Sequence, residues 1–309
     1  MNLSSDTIID PSVHIIILNW NGYKNTFECL NSLNQIKYKN CDIVLIDNGS
    51  ETDEIDNILT YFSNIKIIKT ENNLGFTGGN NLGIKYSMEN NADFILLLNN
   101  DTVVEPDFLE FLLNKFMSHP KTGVVAPKIS YYNKPEKIWS VGGKINIIRG
   151  SGVSYTNERS LKKANGEMGF VSGCCMLIGR NVFENVGLFD EKYFLYDEDA
   201  DLCCRTINAG YKIYTETKSR IYHKIKASTA KNFSNLSLYY ETRNRLYFAK
   251  KNFKSFYLFT TVYICFTMLL KSLFWICTGK SGRVSAALKG IKDFFYNRMG
   301  KISHQLPKI

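Results

Sequence analysis

Residues 94–101 read FILLLNND, five apolar residues followed at once by two asparagines and an aspartate. A short apolar run without alternation is typical of a strand buried on both faces of a parallel sheet. Four further apolar runs have the same character: VHIIIL at 13–18, IVLI at 43–46, IKII at 65–68 and VVA at 124–126. Because stretches with helical spacing separate these runs, the sequence predicts an α/β fold with a mostly parallel sheet.

The stretches between and after these runs predict the remaining elements. Amphipathic helices are expected at 26–33, 51–62, 80–88 and 108–117. From residue 131 a polar stretch rich in glycine indicates an inserted hairpin or a substrate-facing loop. Regular elements are expected again as strands at 170–178 and 212–214 and helices at 181–186 and 199–209.

The composition excludes several classes of protein. The chain has 309 residues, of which 44% are hydrophobic and 22% charged, and its mean hydropathy is −0.18. These values exclude a disordered chain, a collagen-like or disulfide-based scaffold and a polytopic membrane protein. The eight cysteines show no C-x-x-C spacing, which favours reduced, buried thiols in the cytosol. The first twelve residues do not resemble a secretory signal.

Charge is distributed unevenly along the chain. Residues 1–217 contain 20 Lys and Arg against 27 Asp and Glu, whereas residues 218–309 contain 18 against 2. Such a basic tail is attracted to an anionic surface, such as lipid headgroups, nucleic acid or polyphosphate. Long apolar runs between the basic residues favour lipid, since a nucleic-acid site would combine clustered basic and stacking residues.

The most apolar part of the tail is residues 255–277, in which Lys271 is the only charge. Its length is sufficient to cross a bilayer, but basic flanks and the basic amphipathic stretch 286–299 also suit a helix in the membrane interface. Packing against the protein's own domain is the third alternative. We therefore expect three regions: an extension at 1–12, an α/β domain at 13–235 and a helical, membrane-associating region at 236–309.

Polar residues follow the predicted strands, where open α/β sheets bind ligands. Asn19 and Asp47 end the first two strands and are suited to hold a nucleoside, although Asp47 and Asn48 also suit an ordinary turn. Asp101 is suited to bind a divalent cation that holds a diphosphate, or to cap the following turn. The glycine-rich segment 72–83 precedes a helix, as phosphate loops do, but matches neither the Walker nor the dinucleotide-binding pattern.

An acidic segment, YDEDAD at 196–201, lies where a helix is expected to begin. So many like charges cost stability unless a helix dipole, a cation or a proton offsets them, and such surroundings raise a carboxylate pKa toward the range of a general base. His223 follows an apolar strand and is either a metal ligand or a structural histidine.

Taken in order, these segments resemble the family 2 glycosyltransferases, and most closely their rhamnosyltransferase-like branch. The matching stretches are VHIIILNWNG (13–22), IVLIDNGS (43–50), NNLGFTGGNN (72–81), LLLNNDTVVEPDFL (96–109), the segment 170–213, His223 and YYETRNRLYF (239–248). The resemblance covers about residues 13–250 and implies a GT-A fold, in which one nucleotide-binding α/β domain also shapes the acceptor site.

The resemblance assigns donor-side roles to particular residues. The residues implied in holding the nucleotide-sugar are Asn19, Asp47, Asn80, Asn99 and Asn100. Asn99-Asn100-Asp101 stands where the family has its D-x-D motif, so Asp101, helped by His223, would coordinate Mg²⁺ or Mn²⁺. Asparagine at the first position departs from that motif and makes strict dependence on metal less certain.

Acceptor-side roles follow in the same way. Glu198-Asp199 matches the family's E-D pair, in which the aspartate is the catalytic base. Arg243 would reach a phosphate of the donor or of a lipid diphosphate acceptor, with Tyr239 or Tyr240 stacking nearby.

The resemblance also implies a reaction. It is inverting transfer of one sugar, since the Q-x-x-R-W motif of processive relatives is absent. The branch favours dTDP-L-rhamnose as donor, although UDP-hexoses and UDP-galactofuranose use the same motifs. A polyprenyl-diphosphate-linked saccharide is the implied acceptor, which places the enzyme at the cytoplasmic face of the membrane as a peripheral or tail-anchored protein.

Two other functions are weighed against this one. A catalytically inert, sugar-nucleotide-binding scaffold would have lost Asp101 or the Glu198-Asp199 pair, and both are present. A sugar nucleotidyltransferase would have a glycine-rich, arginine-containing loop near its N-terminus, which this sequence lacks.

Overall fold

The computed structural model describes residues 10–51, 53–163, 166–224 and 234–303. Of the predicted extension at 1–12, only residues 10–12 fall within this part of the chain. The strands are β1 (Val13–Asn19), β2 (Cys41–Asp47), β3 (Ile65–Lys69), β4 (Phe94–Asn99), β5 (Thr102–Val104), β6 (Thr122–Tyr131), β7 (Lys134–Ser140), β8 (Gly143–Asn146), β9 (Ser151–Ser154), β10 (Glu167–Met168), β11 (Cys175–Gly179) and β12 (Lys212–His223).

Helices lie between the strands and follow the last of them. They are α1 (Tyr23–Leu33), α2 (Ile58–Tyr61), α3 (Gly75–Glu89), α4 (Phe108–Ser118), α5 (Glu158–Lys163), α6 (Arg180–Val186), α7 (Glu198–Asn208), α8 (Asn235–Asn252), α9 (Tyr257–Cys277) and α10 (Ser281–Phe295).

The main sheet has the strand order β10-β12-β6-β11-β4-β1-β2-β3, with β5 added to β12 and β7 to β6. The four strands β4, β1, β2 and β3 are parallel, as the apolar runs predicted. β11 is antiparallel to both β4 and β6, and β12 runs parallel to β6. The predicted α/β class is confirmed, and the antiparallel strands lie in the second half of the sheet.

Successive side chains of β1 point to opposite faces of the sheet and explain its continuous apolar sequence. Ile15 and Ile17 belong to one buried cluster with residues of α1 and α4, whereas Ile16 belongs to a second cluster with residues of α3, α6 and α7. All three isoleucines are fully buried. The sheet is therefore the middle of three layers, with its carboxyl edge open between the helices.

Several predicted elements differ from the structure in type or extent. The single helix expected at 51–62 is instead a 3₁₀ turn at Asp53–Asn57 followed by one turn of helix at Ile58–Tyr61, because this stretch is rich in poor helix formers such as Asp, Asn and Thr. The strand expected at 170–178 begins only at Cys175. The preceding residues leave the sheet, and their backbone takes part in the site described below.

Helix α3 explains the glycine-rich segment 72–83. A side chain at Gly79 or Gly83 would collide with Leu18 or Ile16 of β1, at 2.3 and 2.6 Å from the added carbon. The glycines thus permit close packing of helix on strand. At the start of α3, the Gly75 amide donates to Asn73 Oδ1, and the amides of Phe76 and Thr77 donate to the carbonyl of Phe194, so the phosphate-loop alternative is not supported.

The C-terminal helices pack onto the domain and onto one another. A third buried cluster joins α8, α9 and α10 and includes Tyr239, Ile264, Met268, Trp275 and Phe294. Among the described helices, α9 is the one that is long and apolar enough to cross a membrane. One of its faces is nevertheless buried against the protein, which favours the interfacial and packed alternatives over an isolated span.

Candidate active site

The carboxyl ends of β1, β2 and β4 hold a connected polar network. Asn19 and Asp47 are register partners in the parallel pair β1–β2, and Asn19 Nδ2 donates to Asp47 Oδ1 at 3.2 Å and to Ser50 Oγ at 3.1 Å. Asn19 Oδ1 accepts from Thr26 Oγ1 at 2.7 Å, and Asn100 Nδ2 donates to that same hydroxyl at 2.9 Å. Strand order alone therefore brings these predicted residues together, because parallel strands end at one edge.

The neighbouring turn at Asn48 has a structural role. Asn48 is 2% exposed; its side chain donates to the Gly75 carbonyl at 3.0 Å and accepts from the Leu74 amide at 2.9 Å. These bonds fix the loop that enters α3. Asn80, predicted to position the donor, is also buried, and its Nδ2 donates within the helix to the Phe76 carbonyl at 2.8 Å. In this structure Asn80 supports the helix beneath the site.

Asp101 and His223 meet through the pairing of β5 with β12. Thr102 lies opposite His223 in this antiparallel pair, so Asp101 follows directly beside the ring, and Asp101 Oδ1 is 3.0 Å from His223 Nε2. Trp139 of β7 packs edge-on against the imidazole, with 4.7 Å between ring centroids. Burial lowers the pKa of His223, but Cys174 and the Asp101 carboxylate raise it, to about 10 overall.

The donor atoms of this pair fit a divalent cation. A carboxylate oxygen and an imidazole nitrogen lie 3.0 Å apart, and both atom types bind Mn²⁺ or Mg²⁺ once the imidazole has given up its proton. Within the part of the chain that the structure describes, no group of three or more His, Cys, Asp and Glu side chains is suited to hold a metal. Asp101 and His223 would thus supply part of a coordination shell that diphosphate oxygens and water complete.

A short loop before β11 connects this pair to the acidic segment. The carbonyl of Cys174 accepts from the Asn99 amide at 2.9 Å, and its thiol interacts with His223. The amide of Gly173, one residue earlier, donates to Asp199 Oδ2 at 3.0 Å. The chain leaves the sheet before Cys175 in order to make these contacts, which is why the strand is shorter than predicted.

Asp199 lies in the first turn of α7, and it is partly exposed. Its Oδ1 also accepts from the Ala200 amide at 2.8 Å. Burial raises the pKa of Asp199, although the amides of Gly173 and Ala200 lower it in part. A carboxylate with a raised pKa that still reaches the surface has the properties of a general base.

The acids beside it have different surroundings. Glu198 is 5% exposed, and burial together with the charge of Asp199 raises the pKa of Glu198 well above its ordinary value. Burial likewise raises the pKa of Asp197. Glu198 Oε2 and Asp197 Oδ2 are buried without a hydrogen-bond partner among the described residues. Protonation of these two acids offsets the like charge that the sequence concentrates here.

The chain enters α7 in a strained conformation. Phe194, Tyr196 and Asp197 have left-handed φ angles of 65°, 72° and 68°, which non-glycine residues adopt only when the surroundings enforce it. Asn244 of α8 donates to the carbonyls of Leu195 and Tyr196 at 2.7 and 2.9 Å. This asparagine holds the segment that presents Asp199.

Arg243, next to Asn244, does not reach the site. It is fully buried and donates to the carbonyls of Tyr193 at 3.1 Å and Gly300 at 2.7 Å, and to Asn244 Oδ1 at 3.0 Å. The expected phosphate contact is therefore corrected: the guanidinium binds backbone carbonyls. Of the two predicted stacking residues, Tyr239 donates its hydroxyl to Asp293 and Tyr240 stacks on Phe194.

A cavity of about 520 Å³ opens beside Asp199. Its lining includes residues of the β8–β9 hairpin, which lies in the stretch predicted as an inserted hairpin or a substrate-facing loop, and residues of α8 and α9 that the sequence did not assign to the site. The charged and aromatic members are Arg149, Phe170, Tyr196, Asp197, Asp199, Glu241, Arg245, Tyr263 and Lys271. One signal was available in the sequence, since Lys271 is the only charge in residues 255–277.

Comparison with known proteins agrees with these features. The model of glycosyl transferase family 2 matches residues 14–187. An N-acetylglucosaminyl-diphospho-decaprenol L-rhamnosyltransferase of Mycobacterium tuberculosis is 27% identical over 235 residues, which are 69% of this chain and 76% of that protein. The low-salt glycan biosynthesis hexosyltransferase Agl10 of Haloferax volcanii is 26% identical over 306 residues, 96% of this chain and 94% of that protein. A dTDP-rhamnosyl transferase, RfbF of Shigella flexneri, is 22% identical over 255 residues, 79% of this chain and 82% of that protein.

Solved structures share the fold. The mannosyltransferase PcManGT from Pyrobaculum calidifontis, in complex with GDP-Man and Mn²⁺, superposes with a TM-score of 0.58 at 10% identity and covers 93% of this chain and 88% of its own. GalNAc-T7 with UDP, GalNAc and Mn²⁺ gives a TM-score of 0.59 at 17% identity, over 75% of this chain and 47% of that one. Both support the GT-A architecture.

Proposed function

The chain belongs to glycosyl transferase family 2, and on that premise we propose that it moves a single sugar, with inversion, from a nucleotide diphosphate to a lipid-linked saccharide. The observation that best supports this proposal is the loop at Gly173 and Cys174. Its contacts tie the partly exposed Asp199 to the Asp101–His223 pair, so one short segment links a base to a diphosphate site.

Each group has a defined part in such a reaction. Asp199 takes the proton of an acceptor hydroxyl as that oxygen forms a bond to the anomeric carbon of the donor. The bond from this carbon to the diphosphate oxygen breaks, and the nucleotide diphosphate leaves with the electron pair. One displacement inverts the anomeric centre. The side chains of Asn19 and Asp47 are suited to hold the nucleoside above the edge of β1 and β2.

The diphosphate needs positive charge as it leaves. A divalent cation would supply that charge as a Lewis acid, held by Asp101 and His223. The Mn²⁺ in two proteins of this fold supports the choice of ion. Asn99 replaces the first acid of the family's D-x-D motif, and Asn100 is hydrogen-bonded to Thr26. We therefore assign metal binding to Asp101 and His223.

The proposed donor is dTDP-L-rhamnose. Two relatives carry the name rhamnosyltransferase, one of them specifically for dTDP-rhamnose, and this agrees with the branch that the motifs resemble. UDP-hexoses and UDP-galactofuranose are the alternative donors. The proposed acceptor is a saccharide on a polyprenyl diphosphate, the class of lipid named in the mycobacterial relative, and the product would enter cell-surface polysaccharide.

A lipid-linked acceptor requires access to the bilayer, and we propose that the outer face of α9 lies on the cytoplasmic membrane surface. Its large apolar side chains are about half exposed or more: Leu258, Phe259, Val262, Phe266, Leu269, Leu270, Leu273, Phe274 and Ile276. Basic residues lie at both ends of the helix, among them Lys254 and Lys280. An apolar face with basic flanks matches a membrane surface with anionic lipids.

Release of nucleotide diphosphate tests the donor and the metal together. The full chain is incubated with Mn²⁺ and a panel of dTDP- and UDP-sugars without acceptor. Release from dTDP-rhamnose that Asp101→Ala abolishes is expected. Release only from a UDP-sugar would show that the donor is a UDP-sugar and not dTDP-rhamnose. Release by Asp101→Ala at the wild-type rate would show that Asp101 does not hold a required metal. A protein that binds a donor but transfers no sugar to any acceptor would be the inert scaffold, and one that binds no donor would contradict the transferase function.

A further inference from the structure

The cavity beside Asp199 holds three cationic side chains from three different elements. Arg149 comes from the β8–β9 turn, Arg245 from α8 and Lys271 from α9. The turn is fixed in place, because Arg245 Nε donates to the Arg149 carbonyl at 2.6 Å and Thr260 Oγ1 donates to the Ile147 carbonyl at 2.9 Å. The cations therefore surround a formed cavity instead of lying separately on the surface.

Three acids also line the cavity, Asp197, Asp199 and Glu241, but Asp197 and Glu241 are only partly exposed, whereas Arg149 and Lys271 are exposed. Burial raises the pKa of Glu241 and, more strongly, that of Asp197, although the charge of Arg245 lowers both. Burial lowers the pKa of Lys271, and the charges of Arg245 and Arg149 lower it further. Like charges so arranged repel one another, and a bound anion would relieve that repulsion.

Helix α9 relates the cavity to the apolar surface. Tyr263, Thr267 and Lys271 recur at four-residue intervals and line the cavity, as one stripe of a helix does. The next stripe around the helix includes Leu270 and Phe274, which are 50% and 61% exposed. The cavity thus opens beside the apolar face that we place on the membrane.

We propose that this cavity binds the diphosphate of the polyprenyl-linked acceptor through Arg149, Arg245 and Lys271, with the prenyl chain following the outer face of α9. The inference rests on the proposed function and defines its acceptor site. Asp199 lines the same cavity, so a sugar attached directly to the diphosphate would present its hydroxyl to the base. The donor diphosphate would be held separately, through a cation bound by Asp101 and His223.

Binding of farnesyl diphosphate, a short and sugar-free probe, tests the proposal. Calorimetry on the full chain in metal-free buffer with EDTA keeps the probe from a cation at Asp101. Lys271→Gln and Arg149→Gln should each raise its Kd about tenfold, because each removes one charge-assisted contact. Both residues are exposed, so the variants should fold. Lys85→Gln, at an exposed lysine of α3 outside the cavity, is the matched control and should bind like wild type.

Two further ligands separate this inference from the proposed function. Farnesol lacks the diphosphate and should bind at least tenfold more weakly than farnesyl diphosphate; equal binding would overturn the inference. The Kd for dTDP with Mn²⁺ should be the same in wild type and both cavity variants. Wild type that binds dTDP but not farnesyl diphosphate would overturn the acceptor site and leave the donor chemistry intact. Binding of farnesyl diphosphate without binding or cleavage of any donor would leave the anion site standing and overturn the transferase function.

Discussion

The carboxyl edge of the sheet and the C-terminal helices both hold polar groups, but they use them differently. At the edge, Asn19, Asp47 and Asn100 bond to one another through side chains, and no backbone group is needed to hold them. In α8, Arg243 and Asn244 donate to backbone carbonyls of the loop that precedes α7. The edge residues Asn19 and Asp47, which are 1% and 6% exposed, form a fixed network at the proposed donor site, whereas Arg243 and Asn244 of the helix hold a loop.

This difference separates two kinds of functional residue. Replacing a residue that contacts substrate lowers the activity of the enzyme without lowering its stability. Replacing a residue that holds a strained loop lowers the stability of the fold first, because backbone carbonyls lose their donors and the strained backbone relaxes. The comparison therefore predicts which property each variant changes.

The largest effect is expected for Asp199→Asn. The variant keeps the size of the side chain but cannot accept a proton, so kcat should fall about 10³-fold, the usual contribution of a general base. The Kd for the nucleotide should not change. Initial rates at saturating donor and acceptor measure the loss.

Glu198→Gln is the matched control for this variant. Burial and the neighbouring Asp199 favour the protonated form of Glu198, which glutamine imitates in shape and charge. Its kcat should stay within about tenfold of wild type, since no base is lost. Equal losses in both variants would mean that the two acids act as a unit and would contradict the assignment of the base to Asp199.

The next largest effect is a loss of stability in Arg243→Met. The arginine is fully buried, and its removal leaves the Gly300 carbonyl without its donor. The carbonyls of Lys192 and Tyr193 each lose one of two donors. The free energy of unfolding, measured in urea, should fall by about 3 kcal/mol. Lys250→Met, at an exposed position of the same helix, should change it by less than about 1 kcal/mol. If stability is unchanged and the KM for donor or acceptor rises, Arg243 would contact a substrate phosphate after all.

A smaller effect is expected on the membrane side of α9. Phe266 and Leu273 are 56% and 53% exposed and lie seven residues apart on the same face. Each change to serine should lower partitioning onto anionic liposomes about tenfold, in keeping with the apolar area withdrawn from water. Leu59→Ser is the control, because Leu59 is exposed on the distant α2. Equal losses in the control, or an intact protein that stays soluble with liposomes, would contradict the docking face.

The sequence predicts the edge of the sheet well, because strand ends depend on local pattern. Asn19, Asp47 and Asp101 follow directly from apolar runs, and parallel strands must end together. The Asp101–His223 contact is less local. It depends on β12 continuing nine residues beyond the predicted end at Tyr214, past an irregularity between Glu216 and Arg220.

The sequence does not predict the acceptor cavity or the loop-holding role of Arg243. Arg243 and Arg245 are two positions apart on α8 and therefore point in different directions; only the packing of α8 decides which is buried and which lines the cavity. In the sequence, Lys271 is a single charge near the end of an apolar stretch. In the structure it lines the same cavity as Arg149, from a hairpin about 120 residues earlier. Such contacts follow from tertiary packing and leave no periodic signal.

The smallest expected effect is the pH dependence of kcat, which separates the titration of the base from that of the acids in the cavity. Asp199 must be deprotonated to act, and burial raises its pKa above the ordinary 3.8, so activity should fall on acidification at a higher pH than for an exposed aspartate. Asp197 and Glu241 also have raised pKa values, but they line the acceptor cavity, so their titration should affect the KM for acceptor. Measuring kcat at saturating acceptor therefore isolates Asp199. If acidification changes the KM for acceptor but not kcat, the titrating group belongs to the cavity and is not the base. That outcome would contradict the raised pKa of Asp199.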